Sequence, residues 1–370
     1  MRESYALIDL NNLKQNYFNI RKKVKPAKIL AVVKADAYGH GAVEVSKFLS
    51  ELNPKPEYYG VALFDEAIQL RNSGIKEPIL VFDVINSEKL SIAQEYSLDI
   101  TISRNIDYEV LKKFCSKNKA YLNAHIKINT GMNRLGIRWD ENLNEISKFY
   151  KIERVKINGI YTHFATSDIP KDKFAKTQLE RFNKIIDKLK SLNIDLGIIH
   201  SANSGAILNM PESFFDMVRP GISLYGYKPD LNSDDSIYLK PVMSIISNVA
   251  NLISIKKGES VSYGRRFTSK TDTQIISVPF GYADGYPRAL TNKSKAIIKN
   301  KFYNQVGTVT MDRIMFDIGN DKISVGDKVI LLGKNKNLKF DAWDWSKILN
   351  TIPYEITCNI SKRVPRIYKF

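Results

Sequence analysis

Cysteine is nearly absent from this chain, with Cys115 and Cys358 the only two in 370 residues. Two so widely separated cannot build a disulfide framework, a clustered metal site or a Cys-x-x-Cys redox pair. A disulfide-stapled secreted module is excluded, and both are read as thiols of a reducing compartment, the cytoplasm. Long hydrophobic runs are lacking too. Ile29 to Val33 stops at a charge after a handful of residues, far short of the roughly 18 that a membrane helix needs. Met1-Arg2-Glu3-Ser4-Tyr5-Ala6-Leu7-Ile8-Asp9 leads into no apolar core of an export signal. The expectation is a soluble protein that meets no membrane. Negative charge is short as well: 39 Asp plus Glu face 56 Lys plus Arg, a net charge of +17. Such an excess points to nucleic acid only where it clusters. Here Arg21-Lys22-Lys23 and Lys299-Asn300-Lys301 are scattered pieces without a zinc-finger, helix-turn-helix or aromatic RNA-binding signature. No nucleic acid partner is expected, and the excess reads as a solvated basic surface that attracts anionic small molecules.

What is present is an ordinary globular composition, 44% hydrophobic and 26% charged, long enough for about two domains. Short strand-forming runs alternate with helical spacing as far as about Gly226. The strands are predicted over Ile29 to Lys34, Tyr58 to Leu63, Ile79 to Val84, Ile100 to Ser103, Ala124 to Asn129, Ile157 to Phe164, Ile194 to Ser201 and Val218 to Tyr225. The clearest helix spans Phe174 to Leu192, with Phe182, Ile185, Ile186 and Leu189 on one face. Eight β-then-α units predict a (β/α)8 TIM barrel, where a doubly wound sheet would stop earlier. Lys228 to Ser236 is rich in turn formers and reads as a linker. Runs such as Ser244 to Ile253, Thr273 to Val278, Lys295 to Ile298 and Lys328 to Leu332 then imply antiparallel β structure. The fold class is therefore α/β, an amino-terminal barrel over 1–232 followed by a mainly β domain over 233–370. The first strand, about residues 3–9, is a candidate to pair with the second domain.

In such a barrel chemistry sits at the carboxy-terminal ends of the strands. Lys34, Lys127 with Arg134, Thr162-His163, His200 to Ser204 and Arg219-Pro220-Gly221 all fall there. A lysine ending an apolar strand is partly desolvated, which lowers its pKa and frees the amine for a Schiff base; a lone strand-end lysine more often snorkels to water. A histidine in such a place is ordinarily a core residue satisfied by backbone.

Lys34 does not stand alone. Ala31-Val32-Val33-Lys34-Ala35-Asp36-Ala37-Tyr38-Gly39-His40-Gly41 resembles the pyridoxal-phosphate (PLP) attachment motif of the alanine racemase family, fold type III. The resemblance continues through Lys127 to Gly136, Thr162 to Ala165, Val218 to Ile222, Val261-Ser262-Tyr263-Gly264, Gly281 to Tyr286 and Ile352 to Glu355, in the family's order over essentially the whole chain. It implies a PLP-dependent amino-acid racemase (EC 5.1.1.1) interconverting L- and D-alanine with two bases, Lys34 on the D side and Tyr263 on the L side. It implies further that D-alanine supplies peptidoglycan and that the protein is a head-to-tail homodimer with shared sites, in which Tyr263 and Met311 come from the other subunit. By the same resemblance Tyr38, Arg134, His163, Asn203, Ser204, Arg219, Gly221, Ile222 and Tyr354 hold the cofactor, Arg219 at the pyridine nitrogen. Arg134 and Met311 meet the substrate, Lys127 is carbamylated, and Asp168, Tyr282, Arg288 and Ile352 line the substrate corridor. No metal is implied. The chain departs from the family at Asn129, where Asp is common, and at Thr308 and Arg313, in stretches where Arg and Gln are common. Two alternatives stay open: a racemase of another small or basic amino acid on this scaffold, and a non-catalytic PLP-homeostasis protein of the single-barrel type.

Overall fold

A computed structural model describes residues 3–234 and 236–370; Met1, Arg2 and, within the predicted linker, Asp235 lie outside the described residues. β1 (Tyr5–Asp9) precedes eight parallel strands: β2 (Lys28–Val32), β3 (Tyr58–Val61), β4 (Ile79–Val81), β5 (Asp99–Ile102), β6 (Leu122–Asn129), β8 (Val155–Tyr161), β9 (Ile198–His200) and β10 (Met217–Val218). They run in the order β5-β4-β3-β2-β10-β9-β8-β6, and β6 pairs back onto β5, so the sheet closes on itself. The two-residue β7 (Ile137–Arg138) adds to the far end of β6. Strands β3, β4 and β5 are buried along their whole length, as expected of parallel strands covered on both faces, and the helix Phe174–Ser191 turns its Phe182, Ile185, Ile186 and Leu189 inward. This is the eight-stranded barrel that the alternation of runs predicts.

Several predicted strands end earlier than expected. The eighth stops at Val218 rather than Tyr225. Pro220 has no N–H for a ladder, and Leu224 and Tyr225 donate instead to Gly221 and Ile222 in successive turns. Nor is the linker a loose tether: Ser233 is buried, its carbonyl accepts from Lys228 Nζ at 2.9 Å, and Asp234 N donates to Asn209 Oδ1 at 3.0 Å.

The second compact unit comprises residues up to Leu13, Tyr38–His40 and Lys240–Phe370. Its strands are β11 (Met243–Asn248), β12 (Asn251–Ile255), β13 (Ser260–Val261), β14 (Phe267–Thr268), β15 (Thr273–Val278), β16 (Lys295–Ile298), β17 (Lys301–Gln305), β18 (Ile314–Gly319), β19 (Lys328–Asn335), β20 (Leu338–Phe340) and β21 (Arg366–Lys369). They form a sheet in the order β12-β15-β18-β17-β16-β19-β11-β1-β21, with β20 on β19 and a separate β13–β14 hairpin. β1 lies antiparallel to β11 and parallel to β21. The predicted run Ser244 to Ile253 is two strands. Val249 and Ala250 interrupt it, donating to Asp327 and Ser277 and handing the chain from β19 to β15.

Candidate active site

Lys34 lies two residues past the end of β2, where it opens a left-handed turn. Ala35, Asp36, Ala37 and Tyr38 take φ of 52, 53, 54 and 55°, a conformation that crowds every Cβ against the next carbonyl. Two carboxylates hold it. Glu66 Oε1 accepts from Ala35 N at 2.6 Å while its Oε2 accepts from Ala62 N at 2.8 Å, and Asp36 Oδ1 accepts from Ala42 N at 2.8 Å.

Arg219, which follows β10, is buried. Its Nη2 donates to Thr162 O at 2.7 Å and Ser201 O at 2.9 Å and lies 3.3 Å from His163 Nδ1; its Nη1 lies 2.9 Å from His200 Nδ1. A guanidinium can only donate, so His200 Nδ1 accepts and its Nε2 carries the proton. That Nε2 lies 2.9 Å from His125 Nδ1, so His125 accepts there; its own Nε2 lies 3.3 Å from Asp99 Oδ2 without hydrogen-bond geometry. One donor thus sets two tautomers in turn. Tyr161 forms the floor, stacked on His200 at 4.8 Å between centroids, with Arg219 at 5.2 Å and Lys127 at 5.6 Å over its ring. Burial draws Arg219 down to about 10 and, with the Arg219 charge, holds His163 and His200 well below the usual histidine range, so both imidazoles are neutral at pH 7.

Four cations share this mouth. Burial, then Arg134, Arg219 and Lys34, pull Lys127 down to about 7. Asn129 contributes no charge to offset them. Its Oδ1 accepts from Gly131 N at 3.1 Å and Asn133 N at 3.0 Å, and its Nδ2 donates to Asn133 Oδ1 at 3.1 Å. An asparagine thus shapes the turn leading to Arg134 as an aspartate would, but brings no carboxylate to Lys127 and Arg134.

An anion cradle lies nearby. Asn203 caps the helix Ser204–Asn209, its Oδ1 accepting from Ala206 N at 3.1 Å and Ser167 Oγ at 2.7 Å. Ser204 Oγ accepts from Gly221 N at 2.9 Å. The buried N–H groups of Ser204 and Ile222 have no acceptor among the described residues. Asp168 packs its backbone against Gly205, where a Cβ would meet Asp168 N at 2.7 Å.

The second unit carries the remaining predicted residues. Tyr263 sits in the five-residue loop of the β13–β14 hairpin with 75% of its surface exposed. The Met311 peptide is gripped by the turn at Gly281: Tyr282 N donates to Thr310 O at 3.0 Å and Ala283 N to Met311 O at 3.1 Å, and a Cβ on Gly281 would stand 2.2 Å from Met311 O. Met311 N has no acceptor among the described residues and its side chain is exposed, as are Tyr282, Arg288 and Ile352. Tyr354 is half-buried, 5.9 Å from the Tyr38 ring between centroids.

The chain matches the family model described as the alanine racemase amino-terminal domain over residues 8–229, and that of the alanine racemase carboxy-terminal domain over 242–368. The chain belongs to the alanine racemase family. It is 39% identical to alanine racemase 1 of Clostridium acetobutylicum over 100% of this chain and 96% of that protein. Among solved structures it matches alanine racemase of Clostridium difficile 630 with TM-score 0.93 and 35% identity, covering 100% of this chain and 96% of that one. Alanine racemase from Bacillus anthracis with bound L-Ala-P matches with TM-score 0.91 and 31% identity over 100% of this chain and 96% of that one. The protein is accordingly an enzyme, an alanine racemase, in a family that depends on PLP.

The barrel mouth fits such a cofactor. Arg219 keeps its Nε–H and one Nη1–H without a protein acceptor among the described residues, four cationic side chains lie close enough to depress Lys127, and two buried N–H groups stand beside Ser204 Oγ. Sequence reasoning names His200 as a polar group at a strand end without giving it a role, and misses Tyr161, His125, Asp99 and Glu66 as members of this site. It also misses Gln178, a fully buried side chain that donates to His163 O at 3.1 Å and accepts from Ala165 N at 2.8 Å. Only His200, at a strand end, carries a signal; Gln178 reads as an ordinary helix position.

Proposed function

We propose that the enzyme racemises alanine by a two-base mechanism, with Lys34 and Tyr263 acting on opposite faces of the substrate and each site shared between two subunits of a head-to-tail homodimer. The observation that carries this reading is Tyr263: a tyrosine 75% exposed on a hairpin loop, in a unit that also exposes Tyr282, Met311 and Ile352, presents its hydroxyl to something outside its own unit. A barrel mouth of a second copy suits that surface.

Bound PLP supplies an electron sink next to the substrate Cα, which makes its proton removable. The chain's residues do the rest. Lys34 would hold the cofactor and, once its amine is freed by the incoming substrate, would take or return the Cα proton on the D side; the Tyr263 hydroxyl would do so on the L side. Ser204, Gly221, Ile222, Tyr38 and Tyr354 would hold the phosphate, and Asn203 fixes the start of the helix that carries Ser204. Arg219 would face the ring nitrogen, and a side chain that can only donate would keep that nitrogen unprotonated. His163, neutral and in contact with Arg219, is poised to hydrogen-bond Tyr263. Arg134 and the Met311 N–H receive the substrate carboxylate, and Asp168, Tyr282, Arg288 and Ile352 line its path. Lys127, depressed to about 7, offers a neutral amine that adds carbon dioxide, releasing a proton and leaving a carbamate between two arginines. We place the protein in the cytoplasm, where D-alanine is used for peptidoglycan; two thiols that form no disulfide agree with this compartment.

Mixing inactive Lys34→Ala and Tyr263→Phe chains tests the reading. With random exchange, about a quarter of sites should recover, because one of the two sites in each mixed dimer keeps both bases. Absence of recovery despite demonstrated subunit exchange would mean that each site is built within one chain.

A further inference from the structure

The Tyr263 ring is three-quarters exposed, so side-chain packing within its own chain does not fix it. Its position must come from the backbone of the loop 262–266, and that backbone is unusual. Ser262 takes φ 67° and ψ −175°, a region that in practice belongs to glycine, while Gly264 and Arg265 take φ of 69° and 48°. A five-residue hairpin loop in this conformation persists only where its surroundings over-determine it.

The surroundings are residues 305–308 and Asn292. Thr308 is buried, and both its polar ends reach the loop: its Oγ1 donates to Tyr263 O at 2.6 Å, and its carbonyl accepts from Ser262 Oγ at 2.8 Å. Asn292 makes a second tie, its Oδ1 accepting from Gly307 N at 2.7 Å and its Nδ2 donating to Arg266 O at 3.0 Å. Gly307 allows the approach. It has φ 73°, and a Cβ there would stand 2.7 Å from Val261 O. Gln305 Nε2 holds Gly307 O at 2.7 Å, and Gln305 Oε1 accepts from Asn292 N at 2.6 Å, which closes the network. We infer that Thr308, backed by Asn292, is a positioning residue: it clamps the peptide of Tyr263 so that an otherwise unsupported phenol reaches one fixed point.

This deepens the two-base reading and rests on Tyr263 being the L-side base. The chemistry of the clamp is specific to a short hydroxyl. Valine would replace the hydroxyl by a methyl group and leave the Tyr263 carbonyl without its donor.

The test compares Thr308→Val and Thr308→Ser with wild type as holoenzymes. It reads amide hydrogen exchange over 262–266 and Cα-proton exchange with solvent from L- and D-alanine separately. Thr308→Val should speed exchange of the loop amides about tenfold and slow L-alanine proton release about tenfold, with D-alanine release changed less than about threefold. Thr308→Ser, which keeps the hydroxyl, should restore both. Wild-type loop protection in the valine protein overturns the clamp, as does failure of serine to rescue. Should the valine protein not fold, Ser262→Ala, which removes only the bond to Thr308 O, decides by the same loop readout. The base assignment fails separately: if Tyr263→Phe leaves L-alanine proton release intact, that reading falls, while loop protection still judges the clamp.

Discussion

Lys127 is the residue whose charge is most at the mercy of its neighbours. In the unfolded chain it titrates near 10.4; burial and three nearby cations bring it to about 7. Between those values the unfolded state binds more protons, so this group makes stability rise as pH rises through that window, and its full penalty is felt below pH 7. In bicarbonate-free buffer, cofactor-free Lys127→Met should therefore be more stable than wild type at pH 6, by on the order of a few kcal/mol, with the gain vanishing near pH 10. Urea midpoints at the two pH values check this. A gain of equal size at both would mean that better apolar packing, not relief of a cation, is responsible. Asn129 belongs to the same scale, because a carboxylate at that position would have lessened the penalty.

At the scale of elements, three strands and the turn after a fourth carry the Arg219–His200–His125–Asp99 chain through the barrel, and its proton positions follow from the one group that cannot accept. Asp99→Asn replaces the carboxylate 3.3 Å from His125 Nε2 by a side chain able to donate to that nitrogen, which would reverse both tautomers and set an N–H of His200 against Arg219. Nitrogen-15 NMR of the cofactor-free protein should report the reversed His200 tautomer, and PLP affinity should fall about tenfold. An unchanged His200 tautomer would sever Asp99 from the site. None of this could be read from sequence: residues 99, 125, 200 and 219 share no spacing, and only closure of the β5–β6 seam brings the first two onto paired strands. The strands themselves were legible because a parallel strand covered on both faces is a continuous apolar run, as β3 to β5 are. Their ends were less so. Ile222 to Tyr225, beyond Val218, carry strand-like composition while their backbone groups already serve turns. Lys34, Arg219 and Tyr263 were found through motif resemblance, which registers chemistry kept at fixed positions; the Thr308 clamp joins loops distant in sequence and leaves no local pattern.

For the whole molecule, the net charge of +17 gains a local meaning, since Lys34, Lys127, Arg134 and Arg219 converge, and an anionic ligand entering the barrel meets an attractive field. The left-handed turn after Lys34 bears on the molecule in another way. Four consecutive residues with side chains are held where each costs about 1–2 kcal/mol relative to the right-handed form. The exposed Ala35 is the cheapest place to relieve it, since Ala35→Gly removes the crowding methyl and opens no cavity. That protein should melt about 1–2 °C higher in calorimetry and turn over alanine more slowly, because the peptide following the attachment lysine gains freedom. A lower melting temperature with unchanged turnover would show the methyl to be harmless. Heat tolerance and speed are thus set against each other at a single carbon atom, so a lineage selected only for hardiness would drift toward glycine there and lose rate.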